Sequence, residues 1–447
     1  MWNLKKNKWL AVFLLIATSG FSQQNPWNLQ KCLQYAEKNN IRLKQSHLQI
    51  DQAKINKNGS KMAYLPNLNA NSSVSWNSGL TQNFTTGILE NQTTFGGSGS
   101  LSSNLNIFRG FQNHYNYKKS LLEELSAQYQ YKDAVKNIQT QIASAYVQIL
   151  LAKENLENTK QQYENSLQQK QKTEELIKAG VMPKGDLIDA EAQVKNDQLK
   201  VIQALNSYHL AKLNLAQLLE LPDPENFEID EKEEELEVDQ SLLILPSNEL
   251  YRLAQKTNYK IKTAETGAQI STYQTKLAQS RLYPSLSGFF NYNTRYSDRE
   301  NIGFGGVVTP ADPLWTQLKN NKGKTYGLSL NIPVFNGLSA RNQVKLAKIN
   351  ELKNEYEVAN SKKQLQNDIY KMHMDLKAAY QSLKAAEANL EAQQKAYEYA
   401  KEKFKVGVIN IFDLNNVKLK YETAQYQYIN AKYQYFLKSK VLEYNIK

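Results

Sequence analysis

Residues able to do chemistry are scarce in this chain, and none are spaced to do it together. There is one cysteine, Cys32, and four histidines, at positions 47, 114, 209 and 373. A lone thiol builds neither a disulfide framework nor a cysteine zinc site. Four scattered imidazoles leave little for a metal centre. No HExxH pair, Ser–His–Asp spacing, phosphate-cradling glycine loop or Cys–His pair occurs. Asp and Glu total 43, but lysines lie between them at helical spacing, which is the pattern of a solvated helix surface. The expectation is a protein that is not an enzyme, with no cofactor and no metal.

The elements around these residues are long. Only 19 Gly and 10 Pro punctuate 447 residues, with 41% hydrophobic and 22% charged. That is too apolar for a disordered chain and implies extended helices. Residues 1–22 read as a secretory signal. Lys5, Lys6 and Lys8 precede the apolar run WLAVFLLIA at 9–17, and Gly20 and Ser22 suit cleavage before Gln23. After residue 22 no window of 18 apolar residues is long enough for a spanning helix. The net charge of +12 falls to +9 once the three signal lysines are removed. Those charges are spread among acids along helices in an exported chain, so nucleic acid is not an expected partner.

The chain is written twice. LSSNLNIFRG at 101–110 matches LSLNIPVFNG at 328–337, and KAGVMPKGDL at 178–187 matches KVGVINIFDL at 405–414, both 227 positions apart. Upstream, YLPNL at 64–68 matches LYPSL at 282–286, and AEKNNIRLK at 36–44 matches AQKTNYKIK at 254–262, both 218 apart. This divides the mature chain into a first repeat at 23–227, a linker or equatorial segment at 228–246 containing the acidic run EKEEELE, and a second repeat at 247–447. Each repeat has a helix ended by a proline, Pro66 or Pro284. A polar stretch of alternating pattern follows. Leu68, Ala70, Ser72, Val74 and Trp76 share one side, as do Leu286, Gly288, Phe290 and Tyr292. One β-hairpin per repeat is expected, at about 63–108 and 282–336, with return strands at 101–108 and 326–335. The second hairpin carries a long loop at about 297–324, inside which Trp315 is expected to pack. Gly110 and Gly337 close the strands and open long helices.

Those helices carry apolar seams of alternating four and three spacing. Ile142, Ile149 and Leu156 recur 227 residues on as Ile369, Leu376 and Leu383. The seam after the second glycine is broken at Asp197 in one repeat and at Lys438 in the other. Gly110 to Gly180 and Gly337 to Gly407 each span 71 residues, or ~105 Å of helix. The flanking stretches of 36 and 35 residues add to the same length. Each repeat then builds two rods, one continuous and one in two pieces, with strands at one end and turns at the other. At the turns, Gly180 and Gly407 suit a left-handed helix ending. Asp186 and Asp413 suit caps on the returning helices. Four strands cannot close a barrel, and an open sheet cannot sit in lipid. Strands that enter a membrane would therefore have to be shared among copies.

The duplicated proline strand entries at Pro66 and Pro284, the F-x-G exits ending at Gly110 and Gly337, and the G-x-x-x-x-x-D-L turns at 180–187 and 407–414 resemble the TolC-like outer membrane efflux protein family. The resemblance covers the mature chain. It implies a mainly helical subunit with four strands, three copies of which share a 12-stranded β-barrel in outer membrane lipid above a helical periplasmic tunnel. It implies a passive exit duct met by a periplasmic adaptor protein of an inner-membrane pump. The adaptor contact would comprise Ala179, Gly180 and Val181 in one turn and Val406, Gly407 and Val408 in the other. Asp186 and Asp413, repeated around the trimer, would ring a gate. The family's polar locks do not transfer, because Phe404 and Ile409 occupy their positions. Trp76, Tyr292, Tyr296 and Tyr326 would lie at the lipid interface. The reading from a different class is an exported coiled-coil surface or adhesin-like protein with the β segments as a head.

Overall fold

The computed structural model describes residues 27–82, 89–224, 227–230, 238–302 and 307–446. The signal segment 1–22 and the acidic run at 231–237 lie outside them. In chain order the elements are α1 (Leu29–Asn39), α2 (Ile41–Met62), β1 (Asn69–Gln82), β2 (Leu89–Arg109), α3 (Gln112–Lys178), α4 (Gly185–Leu219), α5 (Ser241–Ile244) and α6 (Ser247–Thr257). They continue with α7 (Tyr259–Ser280), β3 (Ser285–Ser297), β4 (Asn301–Ile302), β5 (Val308–Thr309), α8 (Leu314–Asn320), β6 (Gly323–Asn331), α9 (Ser339–Lys405) and α10 (Ile411–Ile446). The two long helices α3 and α9 have 67 residues each, and among the described residues no helix is long and apolar enough to cross a membrane. The chain divides into a sheet-bearing unit (Ser46–Tyr131 with Tyr259–Lys363) and a helical unit (Met1–Gln45, Lys132–Asn258 and Gln364–Lys447).

In the sheet-bearing unit the four long strands pair antiparallel in the order β1-β2-β3-β6. The registers include Trp76 opposite Phe95, Leu101 opposite Tyr292 and Phe290 opposite Tyr326. The pleat therefore collects Val74, Trp76, Phe95, Leu101, Leu105, Phe290, Tyr292, Tyr326, Leu328 and Leu330 on one face. Asn71, Ser73, Ser98, Ser100, Asn291, Asn293 and Ser329 lie on the other, where Ser73 and Ser98 exchange a 2.8 Å hydrogen bond. β2 begins at Leu89, well before the expected 101. Its first half, ENQTTFGGSGS, lacks the branched apolar residues that mark a strand, yet β1 supplies a ladder partner for it. β6 ends at Asn331 rather than at 335. Pro333 has no N–H to donate, and no strand lies along that side. The loop at 297–324 holds α8, fastened by Thr294 Oγ1 donating to the Leu318 carbonyl at 2.8 Å. Trp315 projects from it, 79% exposed, so it is not packed inside.

Helices flank the sheet in sequence. Lys57 on α2 pairs with Glu124 on α3 at 2.6 Å, and Lys362 on α9 with Glu265 on α7 at 2.8 Å. Between α3 and α7, Tyr129 stacks on Tyr259 with ring centroids 6.3 Å apart. Gly110 closes this junction at φ +58°, and a Cβ there would stand 2.4 Å from the Ser280 carbonyl oxygen.

The helical unit holds the largest apolar core. Ile142, Ile149, Leu215, Leu219, Leu250, Ile369, Leu376 and Leu442 are essentially inaccessible. Cys32 is buried here, and so is His373, whose Nδ1 lies 2.7 Å from the Ser247 hydroxyl. The first helical stretch of each repeat is broken once, at Asn40 and at Asn258. Asn40 Oδ1 accepts from the Arg42 and Leu43 amides while its Nδ2 donates to the Leu218 carbonyl, so the break is a docking point on α4.

Candidate functional site

The two turns at the far ends of the long helices are built alike. At Gly180, φ is +76°; its N–H donates to Ile177 and the next, from Val181, to Leu176, at 3.0 and 2.9 Å. At Gly407, φ is +74°, with Gly407 donating to Phe404 and Val408 to Lys403 at 3.1 and 2.9 Å. Both are Schellman endings, which need a residue free of Cβ strain at the left-handed position.

The caps differ from the expected ones. Asp186 stands within the first turn of α4, whose cap position is Lys184 with no side-chain bond. In the other turn Asn410, not Asp413, accepts from the backbone, taking the Asp413 N–H on Oδ1 at 2.8 Å. Asp186 and Asp413 are thus first-turn acids. They face the positive helix end electrostatically and leave their carboxylates unspent by capping.

Between the turns lies a small apolar cluster of Ala400, Phe404, Ile411 and Leu414, with Met182 of the first turn and Ile409 packed against it. Phe404 and Ile409 therefore join the turns by apolar packing. The outer surface is also apolar: Val181, Ile188, Val406, Val408 and Phe412 are each about two-thirds exposed or more. Ala179, Gly180 and Gly407 lie exposed beside them. The two adjoining turns thus expose several large apolar side chains together.

Farther along the helices, α4 and α10 cross at four charges. Asp197 is 1% exposed; its Oδ2 accepts from Lys418 Nζ at 3.0 Å, and its Oδ1 from Lys200 Nζ at 3.0 Å and Gln193 Nε2 at 2.9 Å. Glu422 lies 3.1 Å from Lys200 and 3.3 Å from Lys418. Burial would raise the Asp197 pKa, but the Lys418 charge and the three donors outweigh it and hold the carboxyl below its usual range. Burial would likewise lower Lys200, and Glu422 with Asp197 reverses that. Beside them Tyr397 stacks on Tyr421 with centroids 5.4 Å apart; burial first, then the Glu422 charge, pushes its hydroxyl up to about 12. The sequence marks Asp197 as a seam break. No spacing rule links it to Lys418 on another helix. The second break, Lys438, is half-exposed and pairs with Asp375 at 3.1 Å. Among the described residues no three His, Cys, Asp or Glu side chains are grouped to hold a metal.

In the sheet-bearing unit, Trp76, Phe95 and Tyr296 form a row of touching rings across β1, β2 and β3, with centroids 5.0 and 5.7 Å apart. Pro66 and Pro284 precede β1 and β3, and Gly110 and Gly337 follow the return strands, both at positive φ.

Two helical repeats, each giving two strands to a sheet with one apolar and one polar face, are the build of an outer membrane channel protein. The chain belongs to the outer membrane efflux protein family, whose model matches residues 32–220 and 250–442. It is 24% identical over 444 residues to outer membrane protein TolC of Escherichia coli K12, covering 96% of this chain and 84% of that protein. It is 22% identical to TolC of Salmonella enteritidis, covering 99% and 86%. Among solved structures, the channel-forming CusC superposes with a TM-score of 0.77 at 15% identity, covering 94% of this chain and 91% of CusC. VceC of Vibrio cholerae gives 0.74 at 16% identity, covering 94% and 95%. The family places the chain in the outer membrane.

Proposed function

We propose that this chain is the exit duct of a tripartite efflux or secretion system, conducting substrates passively from an inner-membrane pump and periplasmic adaptor to the exterior. The observation that carries the reading is the two-faced sheet with both outer edges unpaired. Its apolar face suits lipid, its Ser- and Asn-rich face suits a water-filled lumen, and its open edges require other copies. Three copies supply 12 strands for one barrel, and the helices extend it into the periplasm. The exposed apolar tip formed by Val181, Val406, Val408 and Phe412 supports adaptor docking, with Ala179, Gly180 and Gly407 as the backbone of that contact. The carboxylates of Asp186 and Asp413, unspent by capping, support a charged ring at the narrow end.

The purified chain in planar bilayers is expected to pass discrete currents. Paired Asp186→Ala and Asp413→Ala changes are expected to raise single-channel conductance. No channels at all would sink the duct, and unchanged conductance in the pair would remove these acids from gating. Paired Val181→Asp and Val408→Asp changes are expected to abolish export in complemented deletion cells, as measured by susceptibility to the pump's substrates, while leaving bilayer conductance at the wild-type level. Full export by that variant would remove the turns from the adaptor contact.

A further inference from the structure

Two cavities in the helical unit lie end to end on one groove. The first, about 520 Å³, is walled by α3, α4 and α10, and the second, about 430 Å³, by α4 and α10; Lys200, Leu419 and Glu422 border both. Along α4 the wall is Gln193, Asn196, Lys200, Gln203 and Ser207. Along α10 it is Phe412, Asn416, Leu419, Thr423, Tyr426 and Asn430. Both runs step by alternating threes and fours, so each is a single face of its helix, and the groove follows them for ~20 Å. A stripe with this spacing is usually an apolar seam; here it is mostly amides and hydroxyls. Hydrogen bonding inside the groove is incomplete. Asn155 Oδ1, on α3, is buried with no partner. Glu422 is 7% exposed, and its Oε1 lies 3.3 Å from Lys418 Nζ without a hydrogen bond. Unmet buried acceptors are costly, and both of these call for a donor from outside the chain. Charge, by contrast, is complete. Lys200 and Lys418 are already bonded to Asp197, and Lys200 to Glu422 as well. Among the described residues the one other charge on the walls, Asp189, is exposed at the end nearest the turns.

We infer that this groove binds an uncharged oligosaccharide. Sugar hydroxyls both donate and accept, which suits a wall of Asn, Gln, Ser and Thr side chains together with two unmet acceptors. The C–H face of a sugar ring is apolar and needs a flat surface to rest on. Tyr426, 57% exposed, supplies an aromatic one, and Leu151 and Ala152 floor the groove beside it. A polyamine would meet the same acceptors but would bring its charge against Lys200, and a phosphate would bring its charge against Glu422. The groove is long enough for several linked rings. Two sources present this chemistry, a sugar carried as cargo and a glycan of the cell envelope. The site is read from the helical unit alone and does not depend on the channel reading, so sugar bound by a chain that passes no current would leave it standing.

The full chain, purified in a detergent without a sugar headgroup, is titrated calorimetrically with maltotriose, with the N-acetylglucosamine trimer and with spermidine. Binding of at least one sugar is expected, with spermidine weaker than that sugar. Asn155→Leu is expected to weaken sugar binding about tenfold, the size of one lost hydrogen bond. Its urea midpoint should stay at or above the wild-type value, because the change removes an unmet acceptor, so lost binding is not lost folding. Tyr426→Ala should weaken binding by a similar factor, and Tyr426→Phe should keep it, because the ring and not the hydroxyl is the platform. No heat from either sugar leaves the groove to water and overturns the site. Spermidine binding more tightly than both sugars, or full sugar binding by Asn155→Leu and Tyr426→Ala alike, overturns it as well. Where sugar binds, planar bilayers separate the sources: interrupted current assigns the groove to transported sugar, and uninterrupted current to an envelope glycan.

Discussion

Asp197→Ala is expected to lower stability by about 3–5 kcal/mol, the usual result of deleting one member of a buried ion pair. The change leaves Lys418, with 9% of its side chain exposed, holding a single carboxylate partner, Glu422, at 3.3 Å. It also removes the acceptor of three hydrogen bonds. The size follows from the stranded charge, so removing the whole set of charges should restore most of the loss. Asp197→Ala with Lys418→Met and Glu422→Leu is expected within ~1 kcal/mol of wild type, because apolar replacement of a buried ion cluster is commonly neutral. The second repeat already has an apolar residue at the corresponding position: Ala424 stands 227 residues from Asp197 and is 1% exposed. Urea unfolding in detergent, followed by helical circular dichroism, reads both variants. A single change worth under ~1 kcal/mol would show the crossing contributes little. The pH dependence has two limbs. Asp197, held below its ordinary 3.8, contributes stability that is present above that pH and lost as pH falls through its folded value. Lys200, held above 10.5, contributes stability that is present below that pH and lost as pH rises through its folded value. Between these limits the crossing should be insensitive to pH, and Asp197→Ala should flatten the acid limb.

The legible parts of this chain are those where one residue type has one physical use. A left-handed helix ending without strain needs glycine, so Gly180 and Gly407 give the turns away, and prolines give the strand entries. Apolar periodicity gives the core: Ile142, Ile149, Ile369 and Leu376 are read from spacing and are fully buried. Cap identity is less legible, because Asn410 and Asp413 are both good acceptors within one turn and only backbone geometry decides between them. Both helix breaks are missed because neither holds Gly or Pro. The available signal is an asparagine at matching places, Asn40 and Asn258. The first half of β2 is missed because its ladder with β1, not its own composition, makes it a strand. The charged crossing is the hardest case: Asp197 stands out locally, but its meaning depends on Lys418 and Glu422, which only the fold brings near.

Gly110→Ala is expected to cost about 2–5 kcal/mol, from left-handed strain of about 1–2 kcal/mol together with overpacking of about 1–3 kcal/mol. The added Cβ would lie 2.4 Å from the Ser280 carbonyl oxygen and 3.0 Å from Tyr283 Cβ, and backbone cannot rotate away as a side-chain tip can. In a single chain Gly337→Ala meets no atom within 4 Å, so it incurs only the strain at φ +61°. The two variants therefore act as a paired probe. In dilute monomer unfolded by urea, Gly110→Ala should be the more damaging by the overpacking share. Equal costs in the monomer would refute the crowding at Gly110. A glycine at nearly the same φ thus takes its cost from whatever stands opposite, which is the Ser280 carbonyl in one repeat and open space within the chain in the other.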